Sequence, residues 1–289
     1  MPSWLKILRV LLSLWLLLQV CTDPVVHSAD KTPATVLVKD SLTAPRQEVT
    51  VEAKVVTKGL LRHTPLGGEP VELLVNGATA ATSMTGGDGR AMLSFAPPVK
   101  SIMPVRVRVG NSPRVTPAEG EANVIVWERR TPVLVVELSA LLKASGGDGL
   151  IPGLSSGVQP DAEAMPDAAD ALAKLSQFYY GIIYVTAVPT GADAFVISAD
   201  TRTWLATHMF PAGFVLTIPA GADALGAKLD ELHEAGWKMI KTGIGHSKAF
   251  VETFLRRRLE AIMVIDPASG DAPRKAKLAK DWKEVRKKL

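Results

Sequence analysis

The chain has 289 residues, which is enough for one large domain or two modest ones. Its residues are 47% hydrophobic and 21% charged, and this balance excludes wholesale disorder and collagen. The net charge of +4 is mild, so it permits an anionic partner without requiring one. The single cysteine excludes an internal disulfide and a cysteine-based metal site, and the five histidines lack metal-binding spacing.

A short apolar run, Val10–Val20, lies near the N-terminus and follows two basic residues. It is too short to span about 30 Å of hydrocarbon as a settled helix, and it fits the apolar core of a secretory signal peptide. The small residues Ser28 and Ala29 offer a cleavage site. We therefore predict that residues 1–29 are a signal peptide and that the protein is exported, to the periplasm or outside the cell. Lipidation of Cys21 and a retained anchor are the alternatives, and either would attach the protein to the envelope.

Residues 30–129 alternate between apolar and polar side chains, as in Val49–Val56 and Val105–Val109. About seven short strands without a helix predict an immunoglobulin-like β-sandwich. The segment Ala81–Phe95 resembles a hairpin of bacterial immunoglobulin-like and surface-adhesion domains. The sandwich is also a candidate docking site for a protein partner. The loop Gly86–Gly89 holds one aspartate, too few ligands for calcium, and is predicted to be a tight turn.

Residues 130–289 alternate continuous apolar strands with helices, which predicts a parallel α/β sheet covered on both faces. Functional side chains then belong at the carboxyl ends of the strands. A long insertion, Gly146–Pro160, follows the first strand. The predicted strands are Val133–Glu137, Gly181–Thr186, Phe214–Ile218 and Ala261–Ile265. The predicted helices are Ala164–Gln177, Thr201–His208, Asp223–Ala235, Ser247–Leu259 and a basic closing helix, Pro273–Leu289.

The predicted strand ends carry an acid, a hydroxyl, a lysine and an acidic loop, in the order Glu137, Thr186, Lys248, Asp266 and Asp271. This order resembles that of the haloacid-dehalogenase superfamily of phosphoryl-transfer enzymes. Within it, the chain resembles the lipin-type phosphatidate phosphatase domain, which is also found at the C-terminus of phosphatidylinositol-transfer proteins. The segments that carry the resemblance are Tyr184–Ala187, Thr201–Leu205, Phe210–Gly213 and Asp266–Asp271. The resemblance implies a Rossmann-like α/β fold.

The first motif departs from that family. The family has Asp-x-Asp-x-Thr where this chain has Glu137-Leu-Ser139-Ala-Leu141. In the family the first aspartate is nucleophile and magnesium ligand, and the second is the general acid. A glutamate displaces its carboxylate by more than 1 Å, and a shift of that size can cost about 100-fold in rate. Ser139 cannot replace a general acid, which typically contributes about 100- to 10,000-fold.

These departures predict a degenerate phosphatase domain that binds a phosphate-bearing small molecule or an anionic phospholipid headgroup. An active phosphatidate phosphatase-like hydrolase that uses Glu137 is one alternative, and a structural envelope or surface protein is another. The expected anion-binding residues are Thr186, Ala187, Arg202, Lys248, Ser269 and Gly270. Glu137 and Asp266 are the two residues expected to hold Mg²⁺, if a metal is used.

The basic closing helix has two readings. Leu278, Trp282, Val285 and Leu289 recur at helical spacing, so the helix either docks through this stripe with solvated bases or adheres to anionic lipid. Nucleic acid is not expected as a partner, because no aromatic residues for stacking are interleaved with the bases.

Overall fold

A computed structural model describes residues 31–58, 63–143, 161–221, 223–264 and 272–289. The predicted signal peptide, the Gly146–Pro160 insertion and the loop that carries Asp266 and Asp271 lie outside these ranges. Within the described ranges, no helix has the length and apolar character needed to cross a membrane.

The N-terminal part is all β and contains two sheets. One sheet pairs β3 with β1, β4 and β7, and the other has the order β2-β9-β8-β5-β6. Alternate residues of the strands face inward, so that Val51, Leu73 and Val107 are fully buried in one apolar core. The strands are β1 (Thr35–Val38), β2 (Ser41–Thr43), β3 (Val49–Lys58), β4 (His63–Pro65), β5 (Pro70–Val75), β6 (Ala78–Met84), β7 (Arg90–Phe95), β8 (Ser101–Val109) and β9 (Glu119–Val126).

Two turns of this part follow directly from their sequences. Asn76 and Gly77 both have positive φ, 51° and 81°, which is the backbone of a two-residue hairpin turn between β5 and β6. Gly89, with φ of 74°, donates its N–H to the carbonyl of Gly86 at 2.8 Å. The carboxylate of Asp88 accepts the N–H of Arg90 at 3.1 Å, so this loop is a turn.

The C-terminal part contains a six-stranded, wholly parallel sheet with the order β12-β11-β10-β13-β14-β15. A short 3₁₀ turn, Leu138–Leu141, follows β10 directly. The strands are β10 (Val133–Glu137), β11 (Gly181–Val188), β12 (Phe214–Pro219), β13 (Ile240–Gly245), β14 (Glu260–Val264) and β15 (Lys277–Ala279). The helices are α1 (Ala168–Phe178), α2 (Ala194–Thr207), α3 (Ala224–Glu234), α4 (Lys248–Arg256) and α5 (Trp282–Lys288).

Helices cover both faces of this sheet, as continuous apolar strands require. Side chains of α1, α2 and α5 join one buried cluster with Leu134, Val136 and Tyr184. Side chains of α3 and α4 join the other cluster with Val133, Val135 and Val185. Successive residues of a strand point to opposite faces, so even-numbered residues of β10 and β11 face the first cluster and odd-numbered residues face the second.

Strand β13 was missed in the sequence because Ile240–Gly245 is not a continuous apolar run. Two of its residues must be glycine because helix α4 packs closely on them. A Cβ added at Gly243 would lie 2.7 Å from the ring of Phe254, and one at Gly245 would lie 2.3 Å from the ring of Phe250. Helix α4 therefore lies almost directly on the backbone of β13. The strand separates β10 from β14 in the sheet.

Two predicted helices have different bounds in the structure. Helix α2 begins at Ala194, seven residues before the predicted start at Thr201, where Asp193 caps it by accepting the N–H of Phe195 at 2.9 Å. The closing helix predicted over Pro273–Leu289 is wrong in its first half, since Lys277–Ala279 is strand β15. The apolar spacing was counted through the turn at Asp281, which caps α5 by accepting the N–H of Glu284 at 2.8 Å.

The two parts pack directly against each other. Ile125 and Trp127, at the end of the β part, belong to the apolar cluster beneath α3 and α4. Trp127 lies edge-on to Trp237 with ring centroids 6.5 Å apart. Gly181 begins β11 against this tryptophan, where a Cβ would lie 2.8 Å from the indole ring. The close approach therefore requires glycine at this position.

Candidate functional site

The carboxyl edge of the parallel sheet brings Glu137 close to the start of α4. Glu137 ends β10, and β13, the neighbouring strand, runs directly into Ser247 and α4. A helix that begins just after a central strand points its free N–H groups at this edge, where they favour an anion. The N-terminus of α4 thus forms one anion-binding position at the carboxyl edge of the sheet, where functional side chains were expected.

The carboxylate of Glu137 occupies that position. Its Oε2 accepts the backbone N–H of His246 at 2.7 Å and that of Ser247 at 2.8 Å. Its Oε1 accepts the hydroxyl of Ser247 at 2.5 Å, and the same hydroxyl accepts the N–H of Phe250 at 3.2 Å as the cap of α4. Both oxygens are therefore engaged by the turn between β13 and α4. A negative charge at a helix N-terminus is also favoured by the helix dipole.

These bonds leave Glu137 little capacity for a metal. An ionised carboxylate offers about four lone-pair positions, and three of them are already used by the turn. The described residues contain no group of three or more histidine, cysteine, aspartate or glutamate side chains that could hold a metal ion. Asp266, the second expected ligand, lies outside those residues. The magnesium site expected at Glu137 and Asp266 therefore stays a prediction, with about one lone-pair position of Glu137 left for a metal.

A small cavity of about 130 Å³ lies beside Glu137. Val185, Ala187, Ile218 and Phe250 give it a mainly apolar wall, and Glu137 and Ser247 are among its polar residues. Its volume is that of a few water-sized groups, since a water takes about 30 Å³. The cavity has room for a small group beside the Glu137 carboxylate.

Thr186 does not face this cavity. Glu137 is in register with Val185, and Val185 and Ala187 both line the cavity. The intervening Thr186 therefore points to the opposite face of the sheet, where it is buried. The expected convergence of the acid and the hydroxyl in one cleft is not what the structure shows.

Arg202 also lies elsewhere. Its guanidinium donates to Asp40 Oδ1 at 2.9 Å and to the backbone carbonyls of Val38, at 3.3 Å, and Glu121, at 2.5 Å. These partners belong to the β part, so Arg202 joins the two parts of the chain. The anion-binding role expected of this residue is therefore replaced by an ion pair with a fully buried carboxylate.

The remaining expected residues divide into three groups. Lys248 is the exposed first residue of α4, next to the Glu137 contacts, and Ala187 is exposed at the rim of the cavity. Ser139 is exposed on the 3₁₀ turn after β10, whereas Leu141 is fully buried. Asp266, Ser269, Gly270 and Asp271 lie outside the described residues.

Ser247 is the site residue that the sequence analysis missed as a functional group. It contributes both a backbone N–H and a hydroxyl to Glu137, and it caps α4. A serine immediately before an apolar-periodic segment is a signal for a helix cap. That signal identified the helix start, but not the carboxylate that the serine binds.

No protein-family model matches the chain, and no curated protein matches it. Among solved structures, D,D-heptose 1,7-bisphosphate phosphatase from Burkholderia thailandensis is similar at 13% identity and TM-score 0.39, over 55% of this chain and 97% of that one. The D00-D0 domain of intimin is similar at 15% identity and TM-score 0.22, over 32% and 45% of the two chains. The adhesin InvE of Yersinia pseudotuberculosis is similar at 14% identity and TM-score 0.25, over 35% and 34%. Because these TM-scores are below 0.5, we base the fold on the sheet topology instead.

Proposed function

We propose that the chain is a non-catalytic binding protein whose α/β part has a phosphatase-like arrangement and binds a phosphate-bearing ligand without hydrolysing it. The observation that carries this proposal is the engagement of Glu137 by three donors of the β13–α4 turn. The resemblance to haloacid-dehalogenase phosphatases places the nucleophile at this position. In this chain the carboxylate of Glu137 is instead bound by the N-terminus of α4, as an external anion would be.

A carboxylate nucleophile needs an available lone pair directed at phosphorus. The N–H groups of His246 and Ser247 hold both lone pairs of Oε2, and the Ser247 hydroxyl holds Oε1 at 2.5 Å. One lone pair of Oε1 remains, but attack by Oε2, or rotation of the carboxylate towards a phosphate, would break charge-assisted hydrogen bonds, each worth about 1.5–3 kcal/mol. Ser139 offers only a hydroxyl where a general acid is needed to protonate the leaving oxygen.

Hydrolysis assays on the whole chain test the absence of catalysis. Wild type, with magnesium supplied, is expected to turn over neither p-nitrophenyl phosphate nor phosphatidate above the rate of a Glu137→Gln variant. Glu128→Gln, at an exposed position that pairs with Arg130, is the matched control for loss of one carboxylate. Turnover by wild type and by the control, abolished in Glu137→Gln, would establish Glu137 as a working catalytic carboxylate and overturn the proposal.

Phosphate binding is tested by thermal unfolding. Lys248 is exposed at the start of α4, next to the position that the Glu137 carboxylate occupies, and its ammonium group favours an anion. Inorganic phosphate is expected to raise the melting temperature, with a stabilisation of about 2.7 kcal/mol at 100 times Kd. Lys248→Ala should remove this gain, whereas Lys241→Ala, an exposed lysine near the start of β13, should keep it. A wild type that phosphate does not stabilise would favour a structural surface protein instead.

The compartment is part of the same proposal. The apolar run before residue 29 supports export through a signal peptide, so the binding would take place outside the cytoplasm. Mass spectrometry of the natural protein should then give an N-terminus near Ala29 or Asp30. A diacylated Cys21 would instead make the protein a tethered lipoprotein.

A further inference from the structure

The C-terminal segment forms a basic surface remote in sequence from the site just described. Residues 272–289 hold eight lysines and arginines against Asp281 and Glu284. Strand β15 and helix α5 lie within this segment, and the side chain of Lys277 donates to the backbone carbonyl of Lys288 at 3.2 Å. This contact joins the basic residues before β15 to those at the end of α5.

The helix is fixed in orientation by two buried residues. Trp282 and Val285 are fully buried among the residues of the first apolar cluster, and the indole N–H of Trp282 donates to the carbonyl of Ala140 at 3.0 Å. The other positions of the helix are consequently turned away from the core. Arg286 and Lys287 are exposed there.

Part of the positive charge in this segment is neutralised within the protein. Lys277 pairs with Glu260 at 3.2 Å, Lys280 with Glu284 at 3.5 Å and Lys283 with Asp167 at 3.1 Å. Four exposed bases have no acidic partner within 4 Å in the described part of the chain: Arg274, Lys275, Arg286 and Lys287.

One exposed leucine accompanies these bases. Leu289 is 36% exposed next to Lys288 at the end of α5. Leu278 is 43% exposed, but it pairs with Met263 of the second cluster and therefore faces away from α5. We call Arg274, Lys275, Arg286, Lys287 and Leu289 the C-terminal basic surface. Surfaces that bind anionic lipid combine bases without acidic partners, which attract the headgroups, with exposed aliphatic side chains, which enter the interface.

We propose that the C-terminal basic surface binds an anionic phospholipid bilayer. The bases attract the acidic headgroups, and Leu289 enters the boundary between headgroups and acyl chains. Each base contributes about 1 kcal/mol near an anionic membrane, so four uncompensated bases are enough to raise binding by about 1,000-fold. The attraction is screened by salt, because the bases are exposed. This proposal does not rest on phosphate binding at Lys248.

Vesicle co-sedimentation of the whole chain tests the proposal. The measured quantity is the ratio of binding to phosphatidylcholine vesicles with and without phosphatidylserine, compared between variants that share the same residues 1–29, so that the contribution of those residues is common to all of them. Changing the four bases of the surface to glutamine should lower this ratio by at least about 100-fold. The matched control changes four exposed bases elsewhere to glutamine, at Arg46, Lys100, Lys238 and Lys241. It alters the net charge equally and should keep the ratio within about threefold of wild type.

A ratio that falls equally in the two variants would show a net-charge effect and overturn the proposal. A ratio unchanged in both would overturn it as well. Leu289→Gln distinguishes a bilayer from a soluble polyanion, since it should lower binding to phosphatidylserine vesicles about tenfold without changing binding to heparin. Equal loss on both partners, or binding to heparin alone, would contradict a lipid partner.

Discussion

The carboxylate of Glu137 satisfies two backbone N–H groups that would otherwise be free at the start of α4. The extra methylene of glutamate, relative to aspartate, gives the side chain the length to reach across from β10 to the turn after β13. Gly245 keeps the path open, because a Cβ there would lie 2.9 Å from Oε2. Glu137 is therefore an internal ligand of the turn between β13 and α4.

Glu137→Gln is therefore expected to lower the free energy of unfolding by about 1–2 kcal/mol, because the amide brings only one acceptor oxygen to a turn that offers three donors. Glu128→Gln, which removes an exposed pair with Arg130, should change it by less than about 0.5 kcal/mol. Urea denaturation of the two variants measures the difference. Equal stabilities of wild type and Glu137→Gln would contradict the assigned role.

Sequence reasoning reached Glu137 and Lys248 because both stand at ends of clear elements, a buried strand and an amphipathic helix. It did not reach the Ser247 contact, because that depends on β13, whose glycines conceal the strand. The orientation of Thr186 was missed for another reason. Side chains alternate along a strand, so its face depends on the register between β10 and β11, and the sequence alone does not fix that register.

At the scale of elements, the C-terminal segment shows how a short strand is overlooked. Leu278 was assigned to an apolar helical stripe, but it lies on β15 and is exposed, whereas its neighbour Ala279 is fully buried. Pairing of β15 with β14 decides this, since Met263 lies opposite Leu278 and Val264 opposite Ala279. Long-range pairing thus overrides local spacing. Trp282 and Val285 were placed correctly on the buried face.

Trp282 anchors α5 and the edge of the sheet, and Trp282→Ala should lower the free energy of unfolding by about 3–5 kcal/mol. The loss combines a large cavity with an unpaired carbonyl at Ala140. Leu278→Ala, at an exposed position of β15, is the control and should cost less than about 1 kcal/mol. Thermal and urea unfolding check both values. A mild effect at Trp282 would mean that α5 is not held by this side chain.

At the scale of the whole molecule, Asp40 and Arg202 connect the β part to the α/β part. Asp40 is buried, and its Oδ1 accepts from Arg202 at 2.9 Å and from the N–H of Asn123 at 2.9 Å. Its Oδ2 accepts the N–H of Val215, on β12, at 3.1 Å. One carboxylate therefore bonds to both parts. Burial raises the pKa of Asp40, and the charge of Arg202 opposes that rise.

Removing the arginine leaves this buried carboxylate without its counter-charge. Arg202→Met should therefore lower the free energy of unfolding by about 3–5 kcal/mol. Arg106→Met, which breaks an exposed pair with Glu119, should change it by less than about 1 kcal/mol. Calorimetry of both variants tests the expectation. Similar small losses in the two proteins would show that Asp40 is solvated rather than paired.

A second ion pair across the parts gives the stability a dependence on pH. Burial acts to raise the pKa of Asp193, but hydrogen bonds from Lys54, at 2.6 Å, and from the N–H of Phe195 outweigh it, so the pKa is lowered from 3.8. The folded state then holds the ionised form more strongly than the unfolded chain. Its stabilisation is complete above about pH 3.8 and is lost as the pH falls through the lower folded-state value.

Lys54→Met should accordingly destabilise the protein near neutral pH, and the difference from wild type should shrink below about pH 3.8. Asp40 acts with the opposite sign, because a raised pKa stabilises at low pH, but it is present in both proteins and cancels in the difference. Urea unfolding at a series of pH values gives this difference directly. A constant difference across the series would contradict the assignment to Asp193.

The hydrogen bond that Asp40 accepts from the N–H of Val215 lies at the edge of the parallel sheet, where pairing with a strand of another molecule would begin. Strand β12 ends the parallel sheet, and the outward N–H groups of such a terminal strand can recruit a strand from another molecule. Asp40 takes one of these groups, and strand β1, packed against α2, brings the β part over this border. The N-terminal part therefore blocks the addition of a strand from another molecule at this edge. Severing the chain near residue 130 would expose this edge and would also remove Ile125 and Trp127 from the apolar cluster beneath α3 and α4, so the freed α/β half is expected to aggregate.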